Sequence, residues 1–414
     1  ALQTFLPLLV GTVSLNEVVV WSFRNWGGDK ALFATLLSTA GRCFTAGMSL
    51  VGSIGILTLF SETGEWVAHP PWYGFIFVGL LVWMLGAFFL HLFHLFHAQL
   101  RRPFVNYLVA YPTGVAFTFV LLSLPLLPFT PWLPGHWPLL ALALPFFITL
   151  LGLVQSLSYP NWQEVTLPMS SHPPQPQDTR PRRLTCEIKP LTVDERGERW
   201  WTMTQDMPTT TESGAVRVVQ ITDPHLGPFM SVERLERICR ETVSLRPDMV
   251  LLTGDFYTPE GDNTPGSLVA ALQPLRALRN RCFACLGNHD KESPRVLSTV
   301  AKDLESVGVT LLVDEERLVN TSAGSVQLLG ADWLPPGSPR NAQLKRLVDQ
   351  FPPRDDCPLR ILLLHDPGAF RFLPPSDGCV VLSGHTHGGQ LGLLSLGMNT
   401  TLLAAIGIPD HGAF

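Results

Sequence analysis

Eight side chains of the kinds that bind divalent ions or move protons fall in five short clusters. They are Asp223 and His225 in ITDPHLG, Asp255 in LTGDFYT, Asn288 and His289 in LGNHD, His365 in LLLHDPG, and His385 with His387 in SGHTHGGQ. Carboxylates, imidazoles and amide oxygens are ligands for hard to borderline divalent metals. No thiolate belongs to the set, which argues against a structural zinc cage. Two such ions held about 3.5–4 Å apart need a bridging carboxylate to reduce their mutual repulsion. Neutral imidazoles and an amide carbonyl then fill the shells without excess negative charge. An open position on the ions holds a water whose pKa falls toward neutrality, giving a hydroxide nucleophile.

The clusters need elements that bring them together, and the flanking sequence supplies them. VRVVQI (216–221), MVLLTGD (249–255) and RCFACLG (281–287) are short apolar runs bounded by polar residues, as are VTLLVDE, VQLLGAD, LRILLLHD and GCVVLSGH. Such runs read as buried strands. Between them lie helical patterns. Ser231 to Leu245 places Val232, Leu235, Ile238, Cys239 and Thr242 on one face, with Ser231 as N-cap and Glu233 in the first turn. Leu268–Leu278 and Pro294–Val307 read as two further helices. Strand–helix alternation over 216–414 gives an α/β domain, and in such domains ligand sites gather where strands end.

The order D-x-H, G-D, G-N-H-D, H, G-H-T-H over about 216–390 resembles the calcineurin-like metallophosphoesterases, and among them the transmembrane proteins with a metallophosphoesterase domain. The resemblance implies two β-sheets sandwiched together and flanked by helices, a four-layer sandwich. It implies two divalent metal ions of the Mn, Fe, Zn, Ni or Mg type. Asp223, His225 and His387 would hold the first ion, Asn288, His365 and His385 the second, and Asp255 would bridge them. His289 would protonate the leaving oxygen or steady the transition state. The implied activity is hydrolysis of a phosphodiester or phosphomonoester. Two departures stand out. The phosphoprotein phosphatases carry GDxxDRG, whereas this chain reads GDFYTPE, with Thr258 and Glu260 in place of the second Asp and the Gly. That argues against a Ser/Thr phosphoprotein phosphatase and leaves open what orients His289. Relatives also continue past the region matching 409–414 with a further strand and a Gly-containing loop, so the C-terminal end is expected to be truncated.

The first 160 residues are of another kind. They carry nine charged side chains, Glu17, Arg24, Asp29, Lys30, Arg42, Glu62, Glu65, Arg101 and Arg102. Five stretches approach the roughly 20 apolar residues a membrane helix needs: Leu2–Phe23, Leu32–Phe60, Trp72–His91, Phe104–Phe129 and Trp137–Ser156. A soluble bundle would need a polar face on each. Basic residues lie in alternate connections (Arg24 and Lys30, then Arg101 and Arg102, then Arg180, Arg182 and Arg183). That alternation predicts a multi-pass integral membrane domain over 1–160 with the remainder in the cytoplasm. His91, His94 and His97 read as interfacial side chains. Residues 161–215 read as a Pro-rich linker, with two short strands around DERGER inside 184–203.

The partners implied are membrane lipids and a phosphoester substrate. An anchor raises the local concentration of lipid-borne molecules, which favours a lipid-linked ester. The soluble part is net acidic, so no nucleic acid is expected. The competing reading is a transporter or sensor whose cytosolic domain binds metal or phosphate without turnover. Asp290 and Asp366 read as supports beside ligands, and Asp332 as a residue at the mouth of the site. Phe256 and Tyr257 read as half-buried aromatics or as a stacking surface for substrate. Cys282 and Cys285 fall within one strand, on opposite faces, and read as packing residues rather than a redox pair. The seven cysteines show no metal spacing and fit a reducing compartment.

Overall fold

The structure is a computed structural model, and it describes residues 47–48, 72–95, 103–133, 137–158, 162–165, 167, 188–191, 215–258, 264–335, 337–374, 377, 379–389, 401, 403 and 410. The chain divides into two compact units between Tyr159 and Pro160.

The first unit is helical. Helices α1 (Trp72–Leu95), α2 (Pro103–Leu108), α3 (Ala110–Ser123) and α4 (Trp137–Leu157) contain no Asp, Glu, Lys or Arg. Met84, Phe88, Ala116, Phe119, Val120 and Leu142 form a buried core among them. Their outward faces are apolar as well. Phe75, Ile76, Val82, Leu90, Phe117, Leu144, Phe147, Leu151 and Val154 are all exposed. One stretch among the described residues, Val105–Ser123, is long and apolar enough to cross a bilayer, and shorter apolar stretches run Gly79–His91 and Ala141–Leu157. The spans expected over 2–23 and 32–60 lie outside the described residues apart from 47–48. Of the three histidines spaced by three, the side chains of His94 and His97 also lie outside them.

The second unit opens with two paired strands. The segment read as a Pro-rich linker with short strands contains β1 (Trp162–Val165), which pairs antiparallel with β2 (Ile188–Leu191). β2 falls within 184–203, where two short strands are expected, and the rest of 184–203 lies outside the described residues. The physical anchor is Trp162, which packs against the helix-side core and donates its indole N–H to Glu241 Oε2 at 2.7 Å.

The remaining strands among the described residues form two four-stranded sheets. The first has the order β3 (Val218–Ile221), β4 (Met249–Leu252), β5 (Cys282–Ala284), β6 (Thr310–Leu311), all parallel. The second has the order β10 (Val380–Leu382), β9 (Leu359–Leu363), β8 (Gly324–Gly330), β7 (Glu315–Thr321), parallel except for the β7–β8 hairpin. Side-chain alternation sorts the cores into layers. Val250, Leu252, Cys282 and Ala284 face α5 (Val232–Ser244), α6 (Ser267–Leu272) and α7 (Pro294–Ser306). Met249, Leu251, Phe283 and Cys285 face the other way, onto Val326, Leu328, Ile361 and Leu363 of the second sheet. Leu329 and Leu362 then meet Leu344 and Leu347 of α8 (Arg340–Gln350). Helices, sheet, sheet and helix follow one another as the resemblance implies. Cys282 and Cys285 lie in different cores, and burial pushes the Cys282 thiol up to about 12 and the Cys285 thiol well above its usual range, so both are packing residues.

Local sequence explains the helix ends. Ser231 Oγ accepts from Arg234 N, and Ser293 Oγ from Val296 N, each serving as an N-cap. The helix expected over 268–278 changes at Gln273 into a 3₁₀ turn to Leu278, because Pro274 has no N–H to donate. One buried ion pair closes the end of β9. Arg360 donates from Nε and Nη2 to both carboxylate oxygens of Asp377 at 3.0 and 2.9 Å, with both side chains 5% exposed. Removing one partner strands the other charge, at a cost of about 3–5 kcal/mol. Asp377→Ala is therefore expected to lower the melting temperature of the second unit sharply, while an Arg360→Met/Asp377→Leu double variant recovers most of the loss. Differential scanning calorimetry of the three proteins checks this.

Candidate metal centre

Two loops that extend the first sheet bring the first carboxylates together. Beyond β3 and β4 the backbone pairing continues. His225 N donates to Asp255 O at 3.1 Å and Leu226 N to Phe256 O at 2.9 Å, and Leu226 bridges Tyr257 in parallel. This places Asp223, His225 and Asp255 side by side. On the second sheet, Leu364 N donates to Leu382 O and Gly384 N to His365 O, which aligns the loops after β9 and β10. The two loop pairs meet where His385 N donates to both oxygens of Asp223 at 2.9 and 3.0 Å. The approach is close enough that a Cβ on Gly384 would lie within van der Waals radii of Thr222 Oγ1 and Asp223 Oδ2.

All eight predicted residues converge. Asp223, His225, Asp255 and His387 each offer one ligand atom, and these lie within 4.8 Å of one another; Asp255, His365 and His385 form a second such group. Asp255 belongs to both. Its Oδ2 is 3.5 Å from His225 Nε2 and 3.3 Å from His365 Nε2. His225 Nε2 and His387 Nε2 are 3.1 Å apart, and His387 Nε2 is 3.4 Å from Asp223 Oδ1. Asn288 Oδ1 is 3.1 Å from His365 Nε2, and the His365 and His385 rings have centroids 5.1 Å apart. His289 sits at the edge, its backbone N–H donating to Asp255 Oδ1 at 2.8 Å and its ring 4.9 Å from that of His225.

The supports are equally specific. Asp290 is fully buried, and its carboxylate accepts from the backbone N–H of Asp255, Phe256 and Gly287, each at 2.8 Å. It pins the Asp255 loop to the GNHD loop. Burial and the neighbouring Asp255 carboxylate raise its pKa to about 6. His365 Nδ1 donates to the Thr253 carbonyl at 2.6 Å, which fixes the ring with Nε2 facing Asp255. Asp366 caps the 3₁₀ turn Pro367–Phe372 through Gly368 N and pairs with Arg340 Nη1 at 2.5 Å. Sequence spacing carried no sign of the Thr253 carbonyl or of Arg340. Asp332, expected at the mouth, accepts from Lys291 Nζ at 2.7 Å. Phe256 and Tyr257 are completely buried, and Tyr257 OH meets Ser267 and Asp303. Neither aromatic is half-exposed, and neither offers a stacking surface to a substrate.

The electrostatics fit divalent cations. Burial by itself would raise the pKa of Asp255, but the hydrogen bonds from His225 and His365 and the nearby imidazoles outweigh it and hold the carboxyl well below the usual carboxylate range. Burial opposes the proton on His365, and the Asp255 carboxylate overrides that, raising it to about 9. His385 and His387 are lowered, by burial first; His365 adds to the shift at His385 and His225 at His387. A buried ionised carboxylate thus stands near two imidazoles, His385 and His387, that favour their neutral, metal-ligating form, while the same carboxylate holds a proton on His365 that a bound cation would displace. His225 Nδ1 is buried with no hydrogen-bond partner among the described residues. The donor set is nitrogen and oxygen throughout, the chemistry of a mixed His/Asp/Asn divalent site.

Comparison with known proteins agrees with this geometry. A family model for calcineurin-like phosphoesterase matches residues 216–389. The chain is 31% identical over 220 residues to UDP-2,3-diacylglucosamine pyrophosphatase LpxG of Chlamydia trachomatis, covering 43% of this chain and 65% of that protein. It is 27% identical over 177 residues to phosphodiesterase YaeI of Escherichia coli, covering 42% and 62%. It is 29% identical over 213 residues to a transmembrane protein with metallophosphoesterase domain from Danio rerio, covering 47% and 46%. The chain therefore spans less than two thirds of the length of each of these relatives. With its layered sheets, its converging Asp, His and Asn side chains and the family match, the segment 216–389 is a calcineurin-like metallophosphoesterase domain.

Proposed function

We propose that the chain is a membrane-anchored phosphoesterase that works with two divalent metal ions. Residues 216–414 form the catalytic domain in this reading and residues 1–160 a multi-pass anchor. The observation that carries it is the position of Asp255, whose Oδ2 faces Nε2 of His225 at 3.5 Å on one side and Nε2 of His365 at 3.3 Å on the other. Asp223, His225 and His387 would hold one ion, Asn288, His365 and His385 the other, and Asp255 would serve both. When bound, the ions supply neutralisation of the phosphoryl oxygens and a water of lowered pKa. The protein's own share is positional. Asp290 fixes the two loops that present Asp255 and Asn288, and His365 is held in one tautomer by Thr253. His289, partly exposed at the edge, delivers a proton to the leaving oxygen.

The anchor rests on helices α1, α3 and α4, which are apolar outward as well as inward, an arrangement that suits lipid and not water. The basic residues Arg101, Arg102, Arg180, Arg182 and Arg183 support a cytoplasmic position for the catalytic domain. A lipid-linked phosphoester or diphosphate is the substrate class this placement favours, and the likeness to a UDP-2,3-diacylglucosamine pyrophosphatase points the same way. The test uses the full chain in detergent. Elemental analysis is expected to find about two divalent ions per chain, and Mn or Ni is expected to stimulate hydrolysis of bis-p-nitrophenyl phosphate, with chelation abolishing it. A protein with neither bound metal nor metal-stimulated turnover overturns the reading.

A further inference from the structure

The departure at GDFYTPE leaves His289 without the Asp that a GDxxDRG motif provides, and the structure supplies another carboxylate. The side chain of Glu292 lies 2.5 Å from His289 Nδ1, through Oε1. The two residues flank a single 3₁₀ turn, His289–Lys291, whose continuation places Glu292 N against His289 O. In 3₁₀ geometry residues three apart eclipse one another, so the carboxylate stacks on the imidazole with no long-range contact needed.

The turn is fixed from every side. Asn288 reaches His365, Asp290 takes three backbone N–H groups, and Lys291 Nζ donates to Asp332 Oδ2 at 2.7 Å and to Trp333 O at 2.9 Å. Ser293 then caps α7, with Pro294 at its first position. Glu292 is thus held between an anchored loop and a capped helix. The pair is about one-third exposed, 31% for His289 and 32% for Glu292, at the edge of the cluster that a substrate must approach. The negative groups acting on His289 are Asp255, Asp290 and Glu292, and of these Glu292 alone contacts the ring nitrogen.

We propose that Glu292 is the positioning residue for His289: it accepts the Nδ1 proton, fixes the ring, and leaves Nε2–H directed at the leaving oxygen. The proposal rests on the phosphoesterase reading above. In the step it serves, a water oxygen forms a bond to phosphorus, losing one of its protons to solvent, as the bond from phosphorus to the leaving oxygen breaks. The electron pair goes to that oxygen, which takes the proton from Nε2, and His289 then regains a proton from solvent. A surface ion pair with no such role would contribute little to anything, and the experiment separates the two.

The full chain in detergent, with Mn, is assayed on aryl and alkyl phosphodiesters whose leaving groups run from p-nitrophenol to phenol to a simple alcohol. A proton donor matters more as the leaving group becomes more basic. Glu292→Ala is expected to lower kcat about threefold with p-nitrophenol and about 100-fold or more with the alcohol. Glu292→Gln keeps an acceptor for Nδ1–H and is expected to recover about tenfold of that loss. Adding Glu292→Ala to His289→Ala is expected to cost nothing more, since the two act as one unit. Metal content by elemental analysis and the melting temperature are expected to match the parent. A loss equal across all leaving groups, or fully additive with His289→Ala, overturns the proposal while the phosphoesterase reading stands. An unaltered protein that turns over none of the esters overturns both.

Discussion

Asp255→Asn is expected to empty both metal positions and to reduce phosphoester hydrolysis by roughly 1,000-fold or more. The substitution preserves shape and removes one charge. That charge is 1% exposed and faces imidazoles on two sides, so under the proposed two-metal reading each cation would lose its shared counter-ion. Breaking a buried charge pairing from one side costs about 3–5 kcal/mol, and each 1.36 kcal/mol is tenfold in rate. Metal affinity should fall more than the 10–100-fold typical of losing an outer support. Elemental analysis separates this from a fault confined to one position. Retention of one full equivalent of metal with unchanged hydrolysis would contradict the shared-carboxylate geometry.

The second large effect is expected at Gly287. A methyl group there would stand 2.6 Å from Asp255 N, closer still to Asp255 Oδ1, and 2.7 Å from Asp255 Cγ. None of these atoms is the end of a flexible chain. Asp255 N is tied to Asp290, Gly287 N is tied to the same carboxylate, and Asp255 Oδ1 accepts from His289 N. Gly287→Ala must therefore displace the Asp255 carboxylate or the GNHD loop. A misplacement of about 1 Å at a reacting centre can cost about 100-fold, and that loss is expected here together with a fall in bound metal. The measurement is kcat with metal content on the same preparation. Normal values for both would mean that the loops are looser than their hydrogen bonds imply.

The candidate ligands were legible because each lies in a short motif at the end of an apolar run, and the sheets then bring the run ends together. The roles of Asp290 and Asp366 as supports were legible for the same reason: each adjoins a ligand. What spacing could not carry was contact across loops or within an irregular turn. Trp162 reaches Glu241 across 79 residues, so β1 was hidden inside a Pro-rich stretch. Tyr257 looked available beside Asp255, yet the loop turns it inward to Ser267 and Asp303. Glu292 was in plain view three residues after His289 and just before the Ser-Pro that opens α7, but only a 3₁₀ turn makes that interval a contact. Pro274, by contrast, was a visible signal for the change of helix type at Gln273.

One property of the ligand loops bears on how the protein comes to exist. Asp223, His225, Asp255, His385 and His387 all hold positive φ, between 46° and 70°. Non-glycine residues resist that conformation by about 1–2 kcal/mol each, so the loops cannot settle early on their own account. Asp223 takes its final hydrogen bonds from His385, 162 residues further on. During synthesis the first ligands therefore emerge from the ribosome long before anything can hold them in shape. The geometry around Asp223 cannot close until the loop that carries His385 has been made.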